Sequence, residues 1–299
     1  MPSNGPDPAF APLLADPRTA LRPPAGGMAM AEYRRRLDLP MAAVRGPAVA
    51  TVETIAIDTS VRARVYAISA EPNGTILFLH GGGFVIGSLE THDAMCRTLA
   101  VAGGARVVAV EYRLAPEHPF PAASDDCRAA LRWVVGQYGK DGIALCGDSA
   151  GGHLAVGLAL YAAAEDTPIA ALGLLYPVVA PEGDGESWAR FGTGHILTRD
   201  WMRWAWSAYL GDPDTMSSQP SLLAADLARL PPTRIIVAEC DPLRDEGEAL
   251  GRAIASAGGA VNLTCAPGMI HGFASLAMLT PAAGDALTEL ARYFCQHMR

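Results

Sequence analysis

A chain of 299 residues, half of them hydrophobic and 18% charged, with 31 glycines and 23 prolines scattered along it, has the material for one large α/β domain with an elaboration or for two modest domains, and its composition suits a compact globular protein in which disorder is not expected outside the ends. Its formal net charge of −8 at pH 7 excludes a nucleic-acid backbone as the natural partner, because counterion release needs clustered Lys and Arg; the one basic run, Arg34-Arg35-Arg36, reads as a solvated helix face. Six cysteines stand far apart, with no CxxC pair and no histidine at metal-finger distance, so reduced, mostly buried thiols are expected rather than a disulfide framework or a zinc site.

Residues 1–27 are rich in Pro, Ala and Gly with little periodicity, and predict a loosely structured start or an arm packed on something else. They lack a basic start followed by an apolar core, and no later stretch reaches about eighteen uninterrupted apolar residues, so a soluble, cytoplasmic protein without a membrane span is expected. A short helix is predicted from Met28 to about Leu37. Two β-rich runs follow, Thr51 to Ile57 and Val61 to Ile68, as an antiparallel hairpin.

The run from Thr75 to Leu79 is apolar without alternation, the pattern of a strand buried on both faces, and it ends in His80-Gly81-Gly82-Gly83-Phe84. Helices and strands then alternate: helix Thr91 to Val101, strand Arg106 to Val110, helix Ala122 to Tyr138, strand Ile143 to Cys146, helix Ser149 to about Ala164, strand Ala171 to Leu175. After a long interval come strand Arg234 to Ala238, helix Leu243 to Ala257, strand Val261 to Thr264 and a last helix from about Ala282 to Cys295. Such alternation predicts an α/β fold, a mostly parallel sheet with helices on both faces. The interval between Tyr176 and Pro231 holds four of the five tryptophans, Trp188, Trp201, Trp204 and Trp206, and reads as an inserted helical cap over a pocket. The expected division is 1–45 as an N-terminal arm with cap helices, 46–182 as core, 183–212 as the inserted cap and 213–299 as the rest of the core.

Chemistry concentrates where an apolar strand stops at Gly147-Asp148-Ser149-Ala150-Gly151-Gly152. A serine on a tight strand-to-helix turn is lifted out of the sheet, and flanking glycines let neighbouring backbone pass. The new helix also aims free N–H groups and its dipole at whatever binds there. A serine hydroxyl needs a base, and the base a carboxylate to orient it. Two later strands supply both at their carboxyl ends, Asp241 after the first and His271 after the second. The order Ser149, Asp241, His271 is that of α/β-hydrolases. Oxyanion donors are expected from the amides of Ala150, Gly81 and Gly82. His80 is expected to hydrogen-bond the glycine loop it begins, and Asp148 to stiffen the serine turn through backbone amides. Phe84, Trp201, Trp204 and Trp206 are the expected substrate-contacting aromatics. His153, one helical turn past Ser149, is a local rival base, badly placed beneath the turn. The acidic group Asp241, Asp245, Glu246 and Glu248 is explained by a helix dipole, and no metal is expected.

Taken together, His80-Gly81-Gly82-Gly83-Phe84, the segment Tyr112 to Glu117 with His118 to Ala123, Gly147 to Gly152, Asp241 to Gly247 and His271-Gly272-Phe273 resemble the hormone-sensitive-lipase-like carboxylesterases of the α/β-hydrolase fold. The resemblance covers Thr75 to the end. It implies a serine carboxylesterase acting on small-molecule esters with short to medium acyl chains, no metal or organic cofactor, and a homodimer built through the last strand and helix. Two departures stand out: His153 where the family usually has Asn, and Pro220-Ser221-Leu222 in place of the usual Ser-Pro-Leu order. A peptidase or amidase, and a non-catalytic ligand-binding receptor, are the rival readings on the same scaffold.

Overall fold

In the computed structural model, which describes residues 5–181, 183, 185–211 and 221–298, eight strands form one sheet in the order β1-β2-β4-β3-β5-β6-β7-β8. They are β1 (Thr51–Ala56), β2 (Arg62–Ala67), β3 (Thr75–Leu79), β4 (Arg106–Glu111), β5 (Ile143–Asp148), β6 (Ala171–Leu175), β7 (Thr233–Cys240) and β8 (Val261–Ile270). β2 runs antiparallel to both β1 and β4, and every other pair is parallel. The helices are α1 (Ala11–Ala15), α2 (Met30–Ala42), α3 (Asp93–Gly103), α4 (Ala122–Tyr138), α5 (Ala150–Ala164), α6 (Glu186–Phe191), α7 (Arg199–Leu210), α8 (Arg244–Ser256) and α9 (Pro281–His297). No described helix is long and apolar enough to cross a membrane.

The unalternated strands are buried on both faces, and their side chains divide between two cores with period two. Ile76 and Phe78 of β3 pack with Leu99 of α3 and with Leu290 and Phe294 of α9. Leu77 and Leu79 face the other way, toward Leu131 of α4, Leu154 of α5 and Ile254 of α8. On the last helix Leu287, Leu290 and Phe294 form the buried stripe, while Tyr293 is only partly covered.

Strand order positions the site. The connection through α3 carries the chain from β3 to β4 on one side, and the connection through α4 jumps back across β3 to β5. The loops leaving β3 and β5 therefore diverge, toward α3 on one face and α5 on the other, and open a crevice at the carboxyl ends of these neighbours.

The N-terminal segment is more ordered than its composition suggests: Phe10 is completely buried, and the Asp7 amide donates to Gly268 O at 2.8 Å. The helix expected to stop near Leu37 continues to Ala42 through Pro40. β8 runs past its expected end to Ile270, with a register irregularity opposite Ala238 and Cys240, as suits a strand carrying Pro267. The basic run is not wholly a solvated face. Arg35 and Arg36 pair with Glu32 at the surface, but Arg34 reaches the core, donating to Val85 O at 2.8 Å, Ala115 O at 2.9 Å and both oxygens of Glu117. Residues 1–4, the expected boundaries at 182 and 212, and Pro220 lie outside the described residues.

The close approach of α5 to β3 demands glycine. A Cβ on Gly151 would stand 2.0 Å from Leu79 O and 2.6 Å from His80 O, both backbone atoms. Gly151→Ala therefore forces β3 and α5 apart and is expected to cost about 3 kcal/mol, seen in calorimetry as a thermal midpoint lower by about 5 °C or more.

Candidate active site

Ser149 closes β5 and caps α5 with φ +52° and ψ −120°, a left-handed strain that a non-glycine residue bears only when the surroundings hold it there. Its amide donates to Leu175 O at 2.9 Å, and its carbonyl accepts from Gly152 and Val178, so the turn is pinned to β6 and to its own helix.

Three strand ends bring the sequence-predicted trio together. Ser149 Oγ lies 3.0 Å from His271 Nε2, and His271 Nδ1 lies 2.8 Å from Asp241 Oδ2. The tautomer that satisfies both contacts carries its proton on Nδ1 and offers Nε2 to the hydroxyl. Asp241 is fully buried, and its second oxygen accepts the Leu243 amide at 2.8 Å, so the carboxylate is fixed before it meets the ring. The Tyr176 ring stands edge-on to the imidazole with centroids 5.0 Å apart.

The glycine loop corrects one expectation. The Gly81 amide donates to Asp148 Oδ1 at 2.8 Å and is not free to hold an oxyanion. Asp148 therefore ties the serine turn to the loop after β3 instead of stiffening its own turn. Burial opposes charge on Asp148, but the His92 and His80 imidazoles and the Gly81 amide outweigh it and hold the carboxyl below its usual range. His92 Nε2 stands 3.4 Å from the same oxygen. Among the described residues the amides of Gly82, Gly83 and Ala150 donate to no protein group, and Gly82 and Gly83 line the cavity beside Ser149. Gly83 was not singled out in the sequence; the signal available was a carboxylate at 148 that needed a backbone donor. His80 places Nδ1 2.8 Å from Gly81 O and stacks its ring on Tyr112 at 4.2 Å. Burial, then the neighbouring His92, push its pKa down to about 3.

A cavity of about 180 Å³ opens over Ser149 and His271, walled by Leu37 and Met41 of α2, Ile86, Leu197, Trp201 and Leu276. Of the four expected aromatics only Trp201 lines it. Phe84 is completely buried and stacks on Tyr209 at 3.9 Å. Trp206 lies on Phe84 at 5.1 Å, because five residues along a helix turn it by about 140° from Trp201. Trp204 packs edge-on against Tyr33. The Trp201 indole N–H donates to Tyr33 Oη at 2.7 Å, and Tyr33 donates to Arg22 O at 2.6 Å, which locks α7 to α2. In the acidic group, Asp245 accepts the Ser187 amide and pairs with Arg244, and Glu246 accepts the Val179 and Ala180 amides. Among the described residues no three His, Cys, Asp or Glu side chains converge on a metal position.

Comparison with known proteins extends the geometry. The model of a family described as having the alpha/beta hydrolase fold matches residues 76–275. The chain is 39% identical over 233 residues to an ethyl acetate hydrolase of Pseudomonas putida, covering 75% of this chain and 73% of that protein. It is 39% identical over 241 residues to carboxylesterase NlhH of Mycobacterium tuberculosis, covering 76% of each. Among solved structures, an esterase of Pyrobaculum calidifontis superposes with a TM-score of 0.88 at 35% identity, covering 97% of this chain and 98% of that one. An esterase of the bacterial hormone-sensitive lipase family gives 0.86 at 30% identity, covering 94% and 95%.

His153, the rival base, does not line this cavity. It projects from α5 into a separate hollow beside Cys127 and Tyr209, with Phe84 and Trp206 edge-on at 5.7 and 5.4 Å. Burial pushes its pKa down to about 4, against the pull of the Val178 carbonyl. Between pH 6.5 and 4 the unfolded chain thus takes up a proton that the folded chain refuses, and stability falls as pH drops through that window. In His153→Asn this loss disappears. Urea midpoints at pH 7.5 and pH 5 are expected to differ less in the variant than in the parent, by the equivalent of about 1 kcal/mol, below the full linkage value because the ring is partly exposed.

Proposed function

This chain belongs to the alpha/beta hydrolase fold family and, within it, to the hormone-sensitive-lipase-like carboxylesterases, and from that footing we propose that it is a serine carboxylesterase that hydrolyses short to medium acyl-chain esters through an acyl-enzyme. The observation that carries the reading is the unbroken relay from Ser149 Oγ to His271 Nε2 at 3.0 Å and from His271 Nδ1 to Asp241 at 2.8 Å, beside amides with no other partner.

His271 takes the hydroxyl proton as Ser149 Oγ bonds to the ester carbonyl carbon, and Asp241 stabilises the imidazolium that forms. The carbonyl oxygen becomes an oxyanion held by the Gly82, Gly83 and Ala150 amides, which need no reorganisation because the protein has already placed them. As the intermediate collapses, the C–O bond to the alcohol breaks and the alcohol leaves with the proton from His271. Water then gives its proton to His271, attacks the acyl-enzyme and releases the acid and Ser149.

Cap and core divide in this reading as 1–45 with 183–212 against the rest. The Trp201 to Tyr33 bond supports it, as does Thr198 Oγ1 donating to Leu21 O at 2.6 Å. The partners are small-molecule esters, the compartment is the cytoplasm, and a homodimer joins along β8 and α9. Among the described residues β8 is the last strand of the sheet, and a terminal strand is one that proteins cover or pair.

Purified protein assayed with an aryl ester, an anilide and a peptide amide is expected to turn over the ester at least about a hundredfold faster than either amide; equal rates would favour an amidase, and no turnover a receptor. Ser149→Ala should lower ester kcat by about four orders of magnitude or more with folding intact. Asp148→Ala frees the Gly81 amide and loosens the donor loop, and is expected to lower kcat about a hundredfold with a smaller change in KM.

A further inference from the structure

The polar side chains that share the cavity with Ser149 and His271 are mostly spent on one another. The Thr91 hydroxyl donates to Ser88 O at 2.9 Å and meets His92 Nδ1 at 2.8 Å; His92 faces Asp148, and Asp148 holds Gly81. Asp38 is different. It lines the cavity from α2 together with Leu37 and Met41, the Gly87 backbone favours its charged form, and the ion-pair contacts of its neighbours Arg34 and His92 go instead to Glu117 and Asp148. An ionised carboxylate offers about four acceptor sites, and leaving most of them against apolar surface is costly unless something with a hydroxyl or amide arrives to fill them.

Position narrows what arrives. The alcohol must leave beside His271, which protonates it, and Asp38 reaches the cavity from a different segment than His271 and the Gly272, Ser275 and Leu276 that follow it in the chain and line the same cavity. Asp38 enters from α2 beside Gly87, which packs directly against Gly81 O and His80. Charge narrows it further: burial pushes the Asp38 carboxyl up from the ordinary range, and the Arg34 guanidinium is already a neighbouring cation. A second cation would meet that neighbour, whereas a hydroxyl can donate to the carboxylate or accept from the carboxylic acid.

We propose that the acyl chain runs past Asp38 and that Asp38 makes this site selective for esters whose acyl chain carries a hydroxyl group, by giving that hydroxyl a hydrogen-bond partner beside the aliphatic side chains of Leu37 and Met41. The inference rests on the esterase reading above and adds the substrate class to it.

The test is acid release, followed by pH-stat, from ethyl hexanoate, ethyl 3-hydroxyhexanoate, ethyl 6-hydroxyhexanoate and ethyl 6-aminohexanoate, with the parent protein, Asp38→Leu and Asp38→Asn. For the parent, at least one hydroxy ester is expected to exceed ethyl hexanoate in kcat/KM. That ratio should fall about tenfold or more in Asp38→Leu and largely survive in Asp38→Asn, whose amide still donates and accepts. A parent that disfavours both hydroxy esters, or a ratio untouched in Asp38→Leu, overturns the proposal, and so does a preference for the amino ester over both. If Asp38→Leu fails to fold, the parent ratio and Asp38→Asn decide. Turnover of ethyl hexanoate separates the two readings: with it present, only the hydroxyl selectivity is at stake, and with all four esters inert the esterase reading falls as well.

Discussion

The structure hinges on one close approach. The first turn of α5 rests against the last carbonyls of β3 with no room for a side chain at Gly151, and this contact sets two loops from different parts of the chain side by side. One carries Ser149, the other the glycine amides. The distances between them need accuracy of a few tenths of an ångström, which close-packed backbone can hold and long side chains cannot. The left-handed φ of Ser149 is the strain that this packing sustains.

Asp148 makes the approach cohesive. It is almost wholly buried, it accepts the Gly81 amide, and the His92 and His80 imidazoles hold it ionised against the cost of desolvation. A buried carboxylate left alone would be a liability. Paired in this way it selects which amides remain available, since it occupies Gly81 and leaves Gly82 and Gly83 unclaimed. The residue beside the serine thus decides which amides of the glycine loop stay open to the cavity.

The cavity owes its walls to segments remote in sequence. Arg34 clamps α2 to Val85 O, Ala115 O and Glu117, and Tyr33, one residue earlier, binds Trp201 on α7. These contacts bring Leu37, Asp38 and Met41 over the serine together with Trp201. The aromatic cluster of Phe84, Trp206 and Tyr209 does not line the cavity; it stiffens the cap against the core and leaves Trp201 as the one indole on the cavity wall.

Sequence alone determined the alternation of strands and helices, because buried parallel strands read as unbroken apolar runs and glycine spacing marks the turns between them. It also pointed to the trio that the structure brings within hydrogen-bond distance: Ser149 and Asp241 directly follow such runs, His271 lies in the loop expected after the last strand, and side chains at the carboxyl ends of parallel strands gather on one edge. It could not decide which glycine amide stays free, since Gly81 is claimed by a carboxylate 67 residues away. Nor could it tell Trp201 from Trp204 and Trp206, since the orientation of α7 is set by Tyr33 and Phe84 rather than by anything within the helix. Asp38 was invisible as a cavity residue for the same reason. Local sequence governs backbone shape and which faces seek burial, while the partner each face meets depends on contacts between distant segments, and those exist only once the chain has folded.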